Sequence, residues 1–112
     1  MKKKSNVFLM HILESVVWIQ KYISGMDKKR FLGDTQVQDA VVRRLQIIGE
    51  ATKYLPKPIR EKSEDVPLKQ IAGMRDILTH EYFGVDLGLV WNTAKKDLPK
   101  LKDAVIELLN EA

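Results

Sequence analysis

Between Asn6 and Ser24 the chain reads NVFLMHILESVVWIQKYIS. Phe8, Ile12, Val16, Ile19 and Ile23 recur every three or four residues, the spacing of one face of an α-helix. Ser5 or Asn6 supplies an N-cap oxygen, and Gly25 supplies a stop. Leu9, Leu13 and Val17 form a second apolar stripe beside the first. A helix apolar over more than one face is either buried on two sides or part of a subunit interface.

The same period runs through most of the chain. Lys28, Lys29 and Arg30 fall in the loop that follows, ahead of Gly33. Asp34 or Thr35 then caps a second long helix reaching about Tyr54, with Val37, Val41, Leu45 and Ile48 on one face. Pro56 and Pro58 end it, because proline lacks the N–H that a helix needs. Ile59 to Glu64 reads as a short polar helix. Pro67 opens a third long helix, buried through Leu68, Ile71, Ala72 and Leu78 and closed by Gly84. Asp86 caps a fourth, whose core face is Val90, Ala94, Leu98, Leu101, Val105 and Leu108. Pro99 kinks that helix or starts a new one. With no alternating strand pattern and only short loops, the expected fold is all-α: an up-and-down bundle of four long helices plus a short one.

A chain of 112 residues fits a single domain, here residues 1–112. The composition is 45% hydrophobic and 30% charged, which is globular rather than disordered. No Cys is present, which excludes disulfide scaffolds, thiolate metal sites and Cys nucleophiles. With His11 and His80 as the two histidines, a multi-histidine metal site within one chain is not expected. Lys2 to Lys4 ahead of an apolar stretch imitate a signal peptide, but His11 and Glu14 interrupt it and no small-residue cleavage site follows. The expectation is a soluble, cytosolic protein with no membrane span and no cofactor. Gly-rich phosphate loops are absent. The net charge of +4 suits an anionic partner such as nucleic acid, and is equally an ordinary solubility charge.

Unusual residues concentrate in Arg75-Asp76-Ile77-Leu78-Thr79-His80-Glu81-Tyr82. On a helix Asp76 and His80, four apart, share a face, so the carboxylate is placed to orient the imidazole and raise its basicity. Arg75 and Tyr82 also share a face. Arg75 and His80 diverge by about 140° and meet through side-chain reach, a distorted helix end or a second copy of the chain. The same residues also suit a solvated ion pair beside a core-edge aromatic.

This segment, together with Ile48-Gly49-Glu50-Ala51, Ile71-Ala72-Gly73-Met74, Val90-Trp91 and Asp97-Leu98-Pro99, resembles the HepT-like family of HEPN domains. The resemblance runs from the first helix to the last. It implies an all-helical, homodimeric, metal-independent endoribonuclease toxin. The family motif is Arg, a polar residue, three variable residues, His, one variable residue and Tyr, and it falls on Arg75, Asp76, His80 and Tyr82. Asp76 stands where the family often has Asn, and Leu68 follows Pro67 where Trp is common. The implied partner is an MNT-type nucleotidyltransferase antitoxin that transfers AMP from ATP onto Tyr82. In this reading Arg75 and His80 carry the chemistry on an RNA substrate, and Asp76 supports His80. One motif histidine per chain suggests a composite site at a dimer cleft. A noncatalytic HEPN subunit that positions a nucleotidyltransferase is the rival reading, and a nucleotide-binding regulator is a third.

The remaining candidates each carry two readings. Arg43 and Arg44 are a phosphate-contacting pair or a solvated face. Lys28, Lys29 and Arg30, with Lys2 to Lys4, widen an RNA footprint without sequence preference. Glu50 pairs with Arg75 or lies at the surface, and Gly49 allows close helix packing. His11 reads as a partly buried helix residue, and Trp18 and Trp91 as core or interface anchors.

Overall fold

A computed structural model describes residues 3–56 and 86–111. Within them the chain is all-helical: α1 (Lys3–Tyr22), α2 (Lys28–Leu32), α3 (Thr35–Lys53), α4 (Leu87–Asn92), a π-helical turn (Thr93–Asp97) and α5 (Leu98–Asn110). The short helix expected at Ile59–Glu64 and the helix expected between Pro67 and Gly84 lie outside the described residues.

Aspartate side chains start three of these helices. Asp27, Asp34 and Asp86 each use Oδ1 to accept the backbone N–H three residues on, at 2.8, 3.1 and 3.1 Å respectively. Each bond satisfies a donor that a helix start leaves without an intrahelical partner. The cap at Asp27 corrects the expectation of a loop: Lys28, Lys29 and Arg30 form the first turn of α2. Two tertiary contacts hold this five-residue helix. Phe31 is fully buried, its ring 5.3 Å from that of Trp91. From α3, the Gln38 Nε2 donates to the carbonyls of Phe31 and Leu32, at 2.9 and 3.0 Å.

Pro99 follows a π-helical turn without any break in the helical backbone, since Asn92, Asp97 and Leu98 all keep αR angles. It sits in the first turn of α5, where a missing N–H costs nothing. The turn before it widens, and the Leu98 N–H bonds to the carbonyl of Thr93, five residues back. That extra residue relieves the clash a proline ring makes with the preceding helical turn.

One continuous core joins these elements. α1 contributes Leu9, Ile12, Val16 and Ile19, with Ile23 just beyond its end. α3 contributes Val41, Leu45, Ile48 and Ala51. Val90, Ala94, Leu98, Leu101, Val105 and Leu108, the expected apolar face, are all buried. Gly49 is buried within α3. α1 packs against both α3 and α5, and the Lys102 Nζ donates to the Gln20 Oε1 at 3.3 Å. Phe8 lies on Tyr54 and Ser15 meets Arg44, so α1 and α3 run antiparallel. The central stripe of α1 starts at Leu9, while Phe8, Leu13 and Val17 are half-buried at its sides. Burial on two sides thus accounts for part of its wide apolar surface, and Val7 and Met10 remain 52% exposed.

Candidate functional site

Arg75, Asp76, His80 and Tyr82 lie outside the described residues. The described part of the chain places Arg43 and Arg44, and it places them in different surroundings. Neighbours in a helix point about 100° apart. Arg44 turns toward α1, its Nη1 3.5 Å from the Ser15 Oγ and its guanidinium 5.8 Å from the ring centre of Trp18. Ser15 is buried, so this long contact gives its hydroxyl a polar neighbour. Arg43 is exposed and stands at a cavity.

That cavity, of about 380 Å³, opens between α1 and α3. Its walls follow from the antiparallel pairing. Phe8 and His11, one turn apart, face it from α1. Arg43, Gln46, Ile47, Glu50, Ala51 and Tyr54, at helical spacing, face it from α3 and its end. The Tyr54 ring stacks on Phe8, with centroids 5.0 Å apart and planes 10° from parallel. Phe8 in turn meets His11 edge-on at 6.5 Å and 87°. His11 is exposed, contrary to the sequence expectation of partial burial, because the stripe facing the core passes through Leu9 and Ile12 instead. Glu50 is half-buried in the wall, and its expected partner Arg75 lies outside the described residues.

A second cluster lies further along α1. Trp18, 39% exposed, stacks on Tyr22 at 5.9 Å, with the Lys21 ammonium 4.9 Å from the indole centre. Trp91 is the core anchor of the two tryptophans. Among the described residues, no group of three or more His, Asp or Glu side chains is placed to hold a metal ion, and no helix is long and apolar enough to cross a membrane.

Sequence reading missed the cavity. Each wall shows as polar and aromatic residues three or four apart on one helix. Nothing in the linear order says that Phe8 and Tyr54 meet.

Comparison with known proteins bears on the chain as a whole. It matches the family described as Ribonuclease HepT-like over residues 12–108, a span that includes Arg43, Arg44 and the Arg75–Tyr82 motif. A protein of Methanocaldococcus jannaschii, named for a gamma-glutamylcyclotransferase and provisionally for an RNase, is 48% identical over 99% of this chain; the chain spans 50% of that protein's length. One from Caldanaerobacter subterraneus subsp. tengcongensis, provisionally named an RNase, is 44% identical over 97% of both chains. A third, from Thermococcus cleftensis, named "Probable ribonuclease HepT", is 39% identical over 91% of this chain and 93% of its own. No solved structure matches the chain. With a match over most of its length and relatives of this identity, the chain belongs to the HepT-like ribonuclease family.

Proposed function

We propose that this protein is a metal-independent endoribonuclease, the toxin of a pair whose antitoxin is an MNT-type nucleotidyltransferase. The observation that carries the reading is the family match over residues 12–108, within which Arg75, Asp76, His80 and Tyr82 reproduce the family motif.

RNA brings its own nucleophile, so the protein has to move protons and offset charge. His80 takes the proton from a 2′-hydroxyl as that oxygen bonds to the adjacent phosphorus. The bond from phosphorus to the 5′-oxygen breaks, and the leaving oxygen takes up a proton from a second acid. Arg75, planar and permanently charged, offsets the negative charge that develops on the phosphoryl oxygens. Asp76 holds the imidazole in its working orientation. Base and acid together call for two histidines, and a homodimer supplies a second His80. Tyr82 is the control point. Its phenolic oxygen attacks the α-phosphorus of ATP, pyrophosphate leaves, and the attached AMP puts bulk and negative charge where RNA would bind.

The test is RNA cleavage in excess EDTA by protein whose intact mass shows no AMP. Cleavage is expected to survive the chelator, and to fall about 10²-fold or more in Arg75→Ala and in His80→Ala. Equal activity in wild type and both variants rejects the assignment. No cleavage of several RNAs by clean, unmodified, dimeric protein favours the noncatalytic subunit instead.

A further inference from the structure

We propose that the cavity between α1 and α3 is a subsite for one unpaired nucleotide of RNA, its base stacked on Tyr54 and its phosphate held by Arg43. The proposal deepens the ribonuclease reading and rests on RNA being the ligand.

Tyr54 is 60% exposed, yet its ring lies flat on Phe8. Phe8 itself packs against the core. An aromatic ring supported on one face and open to solvent over most of its surface is the geometry a stacking platform requires. The polar groups around it include those a nucleotide uses, with the half-buried carboxylate of Glu50 in the same wall. Gln46 offers an amide donor and acceptor to a base edge, His11 brings ring nitrogens, and the exposed Arg43 places a cation at the rim. At about 380 Å³ the cavity falls at the small end of ligand sites and suits one nucleotide. Duplex RNA keeps its bases stacked inward, so only an unpaired base reaches such a platform. Trp18, seven residues or about 10 Å further along α1 than His11, has the Lys21 ammonium and, from α3, the Arg44 guanidinium beside it, two further cations beyond the exposed Glu14. A protein partner is the poorer occupant, because a carboxylate such as that of Glu50 in the wall is depleted from the cores of protein interfaces.

The experiment measures affinity for a short single-stranded RNA carrying 2′-O-methyl groups, which cannot be cleaved by 2′-hydroxyl attack. Tyr54→Ala is expected to weaken binding roughly 5- to 100-fold and Tyr54→Phe less than about twofold. A blunt-ended duplex of the same sequence is expected to bind both variants equally. Arg43→Gln is expected to reduce the slope of log affinity against log salt by about 0.7, the share of one phosphate on a single strand. In wild-type protein, an RNA containing 5-iodouridine is expected to photocrosslink to the peptide carrying Tyr54, a readout independent of any variant's folding. Unchanged affinity in folded Tyr54→Ala, or crosslinks that avoid that peptide, overturns the subsite. So does a Tyr54→Ala variant whose sedimentation changes while its RNA affinity does not, since the face is then a contact between copies. The two readings fail separately. Loss of the subsite leaves His80-dependent cleavage intact, whereas Tyr54-dependent binding without cleavage keeps the subsite and removes the nuclease.

Discussion

Single side chains decide where these helices start and turn. Asp34 closes the start of α3, its Oδ1 3.1 Å from the Val37 nitrogen. Asp34→Ala is expected to destabilise the protein by about 1 kcal/mol in urea unfolding, and Asp34→Asn by much less, because the amide oxygen still accepts the bond. Gly25 illustrates a purely backbone requirement. Its φ is +76°, and an added Cβ there would meet no atom within 4 Å. Space is therefore free and the cost lies in the left-handed conformation. Gly25→Ala is expected to lower stability by roughly 1–2 kcal/mol and Gly25→Asn by less, measured as the shift in unfolding midpoint. The caps at Asp34 and Asp86 and the stop at Gly25 were legible in the sequence, since each stands beside a clear apolar period. Asp27 was not, because nothing periodic follows it.

At the scale of elements, α2 shows how tertiary contacts build a helix that its own sequence does not announce. Five residues make about 1.4 turns, and an isolated helix of that length is not stable in water. Burial of Phe31 and the bonds from Gln38 supply what local propensity cannot. Gln38→Ala removes a donor from two carbonyls at the end of α2, of which that of Phe31 keeps the Asp34 N–H at 3.2 Å, and is expected to cost about 1 kcal/mol. Hydrogen exchange places that effect: amides of α2 are expected to exchange faster, with α1 and α5 nearly unchanged. The widened turn before Pro99 is the complementary case. Proline announces a break, while the choice between a kink and a fresh start depends on keeping both Val90 and Leu101 in the core.

For the whole molecule, the proposed composite site makes a prediction that no single chain can satisfy alone. In refolded mixtures of wild-type and His80→Ala subunits, cleavage is expected to fall as the square of the wild-type fraction, because a mixed dimer lacks its second histidine. A site contained within one chain gives activity that falls in direct proportion to the wild-type fraction, because each wild-type subunit then works alone. The sequence by itself determined the helical class, three of the helix boundaries and the apolar face from Val90 to Leu108, because those depend on spacing along one chain and on local hydrogen bonds. It also offered Arg75, Asp76, His80 and Tyr82 as candidates, through resemblance to the HepT-like family rather than through their spacing. Only the tertiary structure decided that α2 exists, that Arg44 rather than Arg43 turns toward α1, and that Phe8 and Tyr54 stack across two antiparallel helices. Those outcomes depend on which helix faces meet, and contacts between residues 46 positions apart leave no period in a linear sequence.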